Sequence, residues 1–155
     1  MDNEVTNYLL AFNHMKIIQR KDMFNFSLDT VLLANFCTIT KDVKKIVDFG
    51  TNNAAIPLLL STRTDKKIIG IEIQSEAVEL AKKNVILNDL KDQIEIIHDG
   101  YDKKYIKDSF VIVAATNNKD INHKIGVYCN QNGKLVNVVD DKELSNFTVP
   151  FWVAL

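Results

Sequence analysis

Short β-branched runs alternate with stretches of helical period along most of this chain, and that alternation limits the fold more than any other feature. Residues 45–48 (KIVD), 67–73 (KIIGIEI), 94–97 (IEII), 109–115 (SFVIVAA) and 135–139 (LVNVV) are apolar almost throughout. Strands covered on both faces read this way. Between them, residues 54–61 (AAIPLLLS) predict a helix with Pro57 in its first turn, where a missing N–H costs little. A second helix opens at Ser75, a residue able to cap it, and Ala77, Val78, Leu80, Ala81, Val85 and Leu87 recur near the 3.6-residue period. Residues 119–130 predict a third, with Ile121, Ile125, Tyr128 and Cys129 inward and Gly133 past its end. Strands joined by helices of this length pair in parallel through right-handed crossovers. The expectation is an α/β domain with one doubly wound parallel sheet. Its strands, counted from residue 45, run in the order 3-2-1-4-5 with helices on both faces. Upstream, residues 15–19 predict a short strand or hairpin arm. Residues 27–36 (SLDTVLLANF) predict a helix capped by Ser27, which either packs on the sheet edge or lines a ligand site.

The chain has 155 residues and a net charge of -1. That length suits one domain over residues 1–155, and such balanced charge argues against broad affinity for nucleic acid or membrane. No apolar run approaches the roughly 20 residues that span a bilayer. The first residues, MDNEVTNYLL, place acids where a secretory signal carries positive charge, so a cytoplasmic location is expected. Cys37 and Cys129 lack metal-ligand or CxxC spacing and predict reduced thiols. His14, His98 and His123 are scattered, so no metal site is expected.

In an open parallel sheet the ligand crevice lies beyond the carboxyl ends of the strands, where strand order reverses. Here that is between the first and fourth strands. The first turn, residues 47–55 (VDFGTNNAA), has Gly50 where a tight turn and close backbone approach are needed. Glu72 ends the second strand, 22 residues after Gly50. A carboxylate there can accept hydrogen bonds from both ribose hydroxyls of a nucleoside. Asp99 follows the third strand and can meet an adenine amino group. Each acid also has a plainer reading, as a solvated strand end, but their joint spacing points to a nucleoside-containing ligand.

Residues from about 9 to 99 resemble small-domain adenine-N6 methyltransferases of the kind that modify a valine tRNA. The stretches that carry the resemblance are residues 24–36 (FNFSLDTVLLANF), 44–64 (KKIVDFGTNNAAIPLLLSTRT), 67–74 (KIIGIEIQ), 77–90 (AVELAKKNVILNDL) and 93–99 (QIEIIHD). In that family the first turn is D-x-G-T-G-N-G and binds S-adenosylmethionine. The resemblance implies that Asp48 and Gly50 face the methionine part, Glu72 the ribose and Asp99 the adenine. It also implies a tRNA substrate. The family's second and third glycines are Asn52 and Ala54 here. Asn is the least costly substitute in a left-handed conformation, whereas Ala54 adds a methyl at a helix start that should lie against the cofactor. Weakened or lost cofactor binding is therefore expected. The family's catalytic motif, N-P-P followed by an aromatic, holds the target amino group and stacks on the flipped base. The only prolines here are Pro57 and Pro150, so that motif is absent. The fourth strand is followed by Ala114-Ala115-Thr116-Asn117-Asn118, with Asn117 near the motif's Asn position.

Residues from about 101 to 150 are similar to the C-terminal half of the dinucleotide-binding domain of siroheme synthase, the precorrin-2 dehydrogenase. The match rests on AATNN at residues 114–118 and NVVDD at 137–141. In that family the A-A-T stretch lines the NAD site and the first acid after N-V-V, here Asp140, is the proposed acid/base. The alternative is that Asp140 and Asp141 only end a strand and cap the next turn. That family's own glycine-rich NAD loop is missing, so NAD is the less favoured cofactor. The chain thus reads as a Rossmann-like hybrid, residues 1–100 methyltransferase-like and 101–155 siroheme-synthase-like, with a seam near residues 99–103. Three functions fit: an S-adenosylmethionine-binding domain of methyltransferase type with weak or no activity, a recombined or designed scaffold without ligand, and residual NAD or tetrapyrrole binding through Thr116 and Asp140. The tail, residues 149–155 (VPFWVAL), is strongly apolar and predicts docking on the sheet or on a partner, including a second copy of the chain.

Overall fold

The computed structural model describes residues 3–9, 14–23, 25–114, 116 and 118–147. The chain divides into two compact units, Met1–Gly100 and Tyr101–Leu155.

The first unit opens with an antiparallel hairpin of β1 (Glu4–Tyr8) and β2 (Lys16–Arg20), in register from Tyr8 opposite Lys16 to Glu4 opposite Arg20. The sequence expectation covers only the second arm; β1 (EVTNY) is exposed along its length and carries no apolar alternation. Helix α1 (Leu28–Phe36) follows, and the Ser27 N–H donates to the Thr30 hydroxyl at its start. Next come β3 (Lys45–Phe49), α2 (Ala55–Ser61), β4 (Lys67–Glu72), α3 (Ser75–Leu87) and β5 (Ile94–His98). The three strands pair in parallel in the order β3-β4-β5. Leu58, Leu59 and Leu60 of α2, Ile68 of β4, Ala81 and Val85 of α3 and Ile94 of β5 meet in one buried cluster that also takes in Leu9, Ile17 and Ala34. Each fully buried Leu or Ile contributes about 1.5–3 kcal/mol, so this cluster is the main support of the sheet above it.

The second unit contains α4 (Lys103–Ile106), β6 (Val111–Ala114), α5 (Lys119–Gln131) and β7 (Leu135–Val138). β6 and β7 pair in parallel, Val111 beside Leu135 and Ala114 beside Val138. Ile112, Ala114, Val136 and Val138 are buried, while Val111, Val113 and Leu135 are exposed. Helix α5 buries Ile125 and Cys129 as expected, together with Asn122 and Gly126. A Cβ on Gly126 would lie 2.9 Å from Leu144 Cβ and 3.0 Å from Val138 Cγ2, so glycine sets how closely this helix packs. The outer edge of β7 is filled by the following turn: Asn146 N–H donates to the Val136 carbonyl (2.9 Å), and the Ser145 hydroxyl accepts from Val138 N–H (2.9 Å).

The α/β class and the parallel pairing match the sequence expectation. The single sheet does not. The described strands form three separate hydrogen-bonded sheets, of which β3-β4-β5 reproduces the 3-2-1 part of the order. The later strands are short, four residues each: β6 alternates exposed and buried residues, the pattern of a strand covered on one face, whereas β7 exposes Leu135 and buries Val136, Asn137 and Val138. No helix among the described residues is long and apolar enough to cross a membrane. The apolar tail lies outside the described residues.

Candidate functional site

The carboxyl edge of β3-β4-β5 gathers the residues singled out from sequence. Beyond Phe49 the chain turns sharply back over β4: Gly50 N–H (2.8 Å) and Thr51 N–H (3.1 Å) both donate to the Ile71 carbonyl. The Ala54 N–H closes the turn on the Thr51 carbonyl at 2.8 Å. Three residues in this turn are left-handed: Gly50 (φ 70°), Asn52 (φ 48°) and Ala54 (φ 65°). Glycine adopts that conformation without penalty and Asn at small cost, whereas an alanine gives up about 1–2 kcal/mol. Ala54 is fully buried in the apolar cluster, so its methyl recovers part of that cost by packing. The turn also depends on Gly70, the register partner of Asp48. A Cβ there would stand 2.8 Å from both the methyl and the hydroxyl of Thr51 and 2.9 Å from Ile96 Cδ1.

Glu72 is buried at 5% exposure, and its carboxylate is held by three main-chain N–H groups. Oε1 accepts from Ile73 (2.8 Å) and Gln74 (2.9 Å), and Oε2 accepts from Asn52 (3.0 Å). One side chain therefore pins the first turn to the end of β4 and satisfies N–H groups leading into α3. Helix α3 begins at Ser75 with Gln74 at the cap position and no side-chain cap bond, so Ser75 is its first residue and not its cap. Asp48 is half-buried, but its Oδ2 is shielded from solvent and has no hydrogen-bond partner. Desolvation pushes its pKa up to about 6; the nearby Thr51 hydroxyl opposes the shift and the charge on Glu72 adds to it. Thr51 acts there by proximity, since its hydroxyl too has no partner in good hydrogen-bonding geometry. Asn53 Nδ2 is the third shielded, unpaired polar atom in the turn. Asp99 N–H donates to the Glu72 carbonyl (3.1 Å) and Asp99 Oδ1 accepts from Gly100 N–H (2.8 Å). Asp48, Gly50, Asn52, Glu72 and Asp99 thus share one edge, with Asn52 and Asp99 both bonded directly to Glu72.

Two residues that matter here escaped the sequence reading. Asn84 is fully buried on α3; its Oδ1 accepts from Ile18 N–H (2.6 Å), and its Nδ2 donates to the Ile18 carbonyl (3.0 Å) and the Asn53 carbonyl (2.9 Å). Asn88, one turn on, pairs likewise with Lys16: Oδ1 from the N–H at 2.9 Å, Nδ2 to the carbonyl at 2.7 Å. Residues i and i+4 of a helix lie on one face, as do i and i+2 of a strand. The two amides therefore act as a substitute strand along β2, and Asn84 also fixes the first turn. The available signal was an Asn on the inward stripe between Ala81 and Val85.

In the second unit, Asn122 is fully buried and organises the residues after β6. Its Oδ1 accepts from Thr116 N–H (3.0 Å) and Thr116 Oγ1 (2.7 Å), and its Nδ2 donates to the Thr116 carbonyl (2.9 Å) and Asp140 Oδ1 (3.2 Å). Asp141 Oδ1 accepts from Glu143 (3.1 Å) and Leu144 (3.2 Å) N–H groups and so caps the next turn. Lys119, Asp120, His123, Asp140 and Asp141 line an open cleft of about 210 Å³. Ala115 and Asn117 lie outside the described residues. Among the described residues no three His, Cys, Asp or Glu side chains are grouped to hold a metal ion.

The fold is of the α/β class and is shared with solved methyltransferases: a SAM-dependent methyltransferase from Agrobacterium tumefaciens superposes over 73% of this chain and 39% of its own, with TM-score 0.54 and 16% identity. A family model, NAD_binding_7, described as "Putative NAD(P)-binding", matches residues 50–151, and the chain belongs to that family. Both resemblances drawn from sequence are found among curated relatives. A tRNA1(Val) (adenine(37)-N6)-methyltransferase of Bacteroides thetaiotaomicron is 26% identical over 113 residues, covering 72% of this chain and 47% of the relative. A siroheme synthase of Buchnera aphidicola is 33% identical over 95 residues, covering 61% of this chain and 18% of the relative. The chain therefore spans less than half the length of either relative.

Proposed function

We propose that the carboxyl edge of β3-β4-β5 binds an adenosyl cofactor of the S-adenosylmethionine type, and that the domain transfers methyl groups weakly or not at all. The observation that carries this is the first turn. Its backbone is left-handed at all three positions where the methyltransferase motif has glycine, although only Gly50 is still one. The fully buried Ala54 methyl belongs to the apolar core, which leaves the outer side of the turn to a ligand.

The charges favour this cofactor over a dinucleotide. Asp48 brings a shielded, unpaired carboxylate oxygen into the turn, and Glu72 lies on the same edge. A pyrophosphate placed there meets like charge, whereas the ammonium and sulfonium of S-adenosylmethionine meet opposite charge. In this reading Asp48 holds the ammonium, Gly50 and Asn52 allow close backbone approach, Glu72 accepts from ribose and Asp99 accepts from the adenine amino group. When bound, the cofactor supplies an electrophilic methyl group. The chain lacks the N-P-P-aromatic motif that would hold a target base against it, which is why turnover is expected to be weak or absent. Calorimetric titration with S-adenosylhomocysteine tests the reading: saturable heat is expected, and a flat trace at about 1 mM ligand overturns it.

A second reading, NAD(P) binding, draws on the family match over residues 50–151 and on the Thr116–Asn122–Asp140 network. Thermal protection by NAD without protection by S-adenosylhomocysteine would favour it; protection by neither would favour a ligand-free scaffold. The hybrid origin draws on the division of the chain into two compact units at Gly100 and Tyr101, whereas the family match and the methyltransferase relative both run across that point. A tRNA partner rests on the printed names of relatives, and self-association on the apolar sequence of residues 149–155.

A further inference from the structure

A carboxylate offers about four lone-pair positions, two on each oxygen. Glu72 has already committed three of them within its own chain. Oε1 accepts from Ile73 at 2.8 Å and Gln74 at 2.9 Å and is full; Oε2 accepts from Asn52 at 3.0 Å and keeps one position open. These are structural bonds. The Asn52 bond fixes the left-handed turn and the other two lead into α3, so a ligand cannot take them over without loosening the turn that forms the site. Burial at 5% exposure leaves the carboxylate little freedom to swing away and present both oxygens outward.

We propose that Glu72 accepts one ribose hydroxyl only, through Oε2, and that this chain therefore distinguishes the two hydroxyls of an adenosyl ligand, where a free carboxylate would hold both. The proposal rests on the adenosyl-cofactor reading of the edge and makes it more specific. The unrecognised hydroxyl faces solvent or another group, and its removal leaves binding nearly unchanged. Removing the recognised one leaves a buried charged acceptor short of a partner, which weakens binding by about tenfold or more.

The test uses the intact protein and three probes: S-adenosylhomocysteine and its 2′-deoxy and 3′-deoxy forms, each titrated by calorimetry. The expected result is asymmetric, with one deoxy form within about twofold of the parent and the other weaker by about tenfold or more. Comparable losses for both deoxy forms would show that both hydroxyls are held and would overturn the proposal while leaving the cofactor reading intact. Equal affinity for all three would show that Glu72 takes no hydroxyl, and would overturn it equally. Failure of the parent compound to bind removes the cofactor reading and the proposal together.

Discussion

Asp48 carries the clearest pH signature in the chain. Its pKa stands at about 6 against an unfolded value of 3.8, so the native state holds the proton more tightly than the unfolded chain does. Stability from this group is fully present below pH 3.8 and is lost as pH rises through about 6. That difference between the folded and unfolded chain corresponds to about 3 kcal/mol. Asp48→Asn keeps the shape and removes the titration. It is expected to raise stability at pH 7 by up to that amount, with no gain at pH 4. Urea midpoints for both proteins at pH 4, 5, 6 and 7 decide the matter; parallel profiles would refute the assignment. That a carboxylate is retained at such a cost agrees with its proposed part in binding a cation. Ala54 has a different balance. Relief of about 1–2 kcal/mol of left-handed strain in Ala54→Gly is countered by a lost buried methyl, about 0.8 kcal/mol, and by greater freedom of the unfolded chain, about 0.5–1 kcal/mol. Its melting temperature should move by no more than about 3 °C in a calorimetric scan, and a larger shift would show that one of these quantities is misjudged.

Among the elements, the contact of α3 with β2 rests on amides. Asn84→Ala leaves the N–H and carbonyl of Ile18 and the carbonyl of Asn53 without their partner in a part-buried to buried setting. A loss of about 3 kcal/mol or more is expected in urea unfolding. Asn88→Ala acts on the more exposed Lys16 pair, where water can substitute, and should cost about 1 kcal/mol. Equal losses would mean the two positions do not differ in solvent access as described. Gly70→Ala drives a methyl into Thr51 and Ile96. The expected outcome is a loss of about 1–3 kcal/mol together with weakened binding of S-adenosylhomocysteine, since the displaced residue belongs to the first turn. These elements also show what could be read in advance. The strands and helices from residue 45 to residue 98 follow from apolar period, and the acids at strand ends follow from chain spacing. The β1–β2 hairpin does not, because β1 is exposed on both faces and depends on pairing with β2. The roles of Asn84 and Asn88 depend on distant backbone that no local pattern describes.

At the scale of the whole chain, the apolar cluster that supports β3-β4-β5 draws every described member from residues before Gly100. Residues 1–100 expressed alone are therefore expected to unfold cooperatively, with helix and strand signals in circular dichroism melting together. A gradual, non-cooperative loss would show that the core needs the rest of the chain. Sequence could suggest a change of character near residue 100, because the two resemblances meet there. It could not show how many ladders the strands make, since hydrogen-bond partners between strands far apart in sequence are a property of assembly. β6 illustrates this: its run looks as apolar as those of β3 and β4, yet Val111 and Val113 face solvent.

The amides of Asn84 and Asn88 have one more effect. An unpaired strand margin invites a foreign strand and can seed fibrils. Along β2 the groups of Lys16 and Ile18 that would greet such a visitor are already occupied from within, by side chains that cannot propagate a ladder. The hairpin thereby gains protection against templated aggregation beyond that given by the charges of Lys16 and Arg20 at the two ends of the strand.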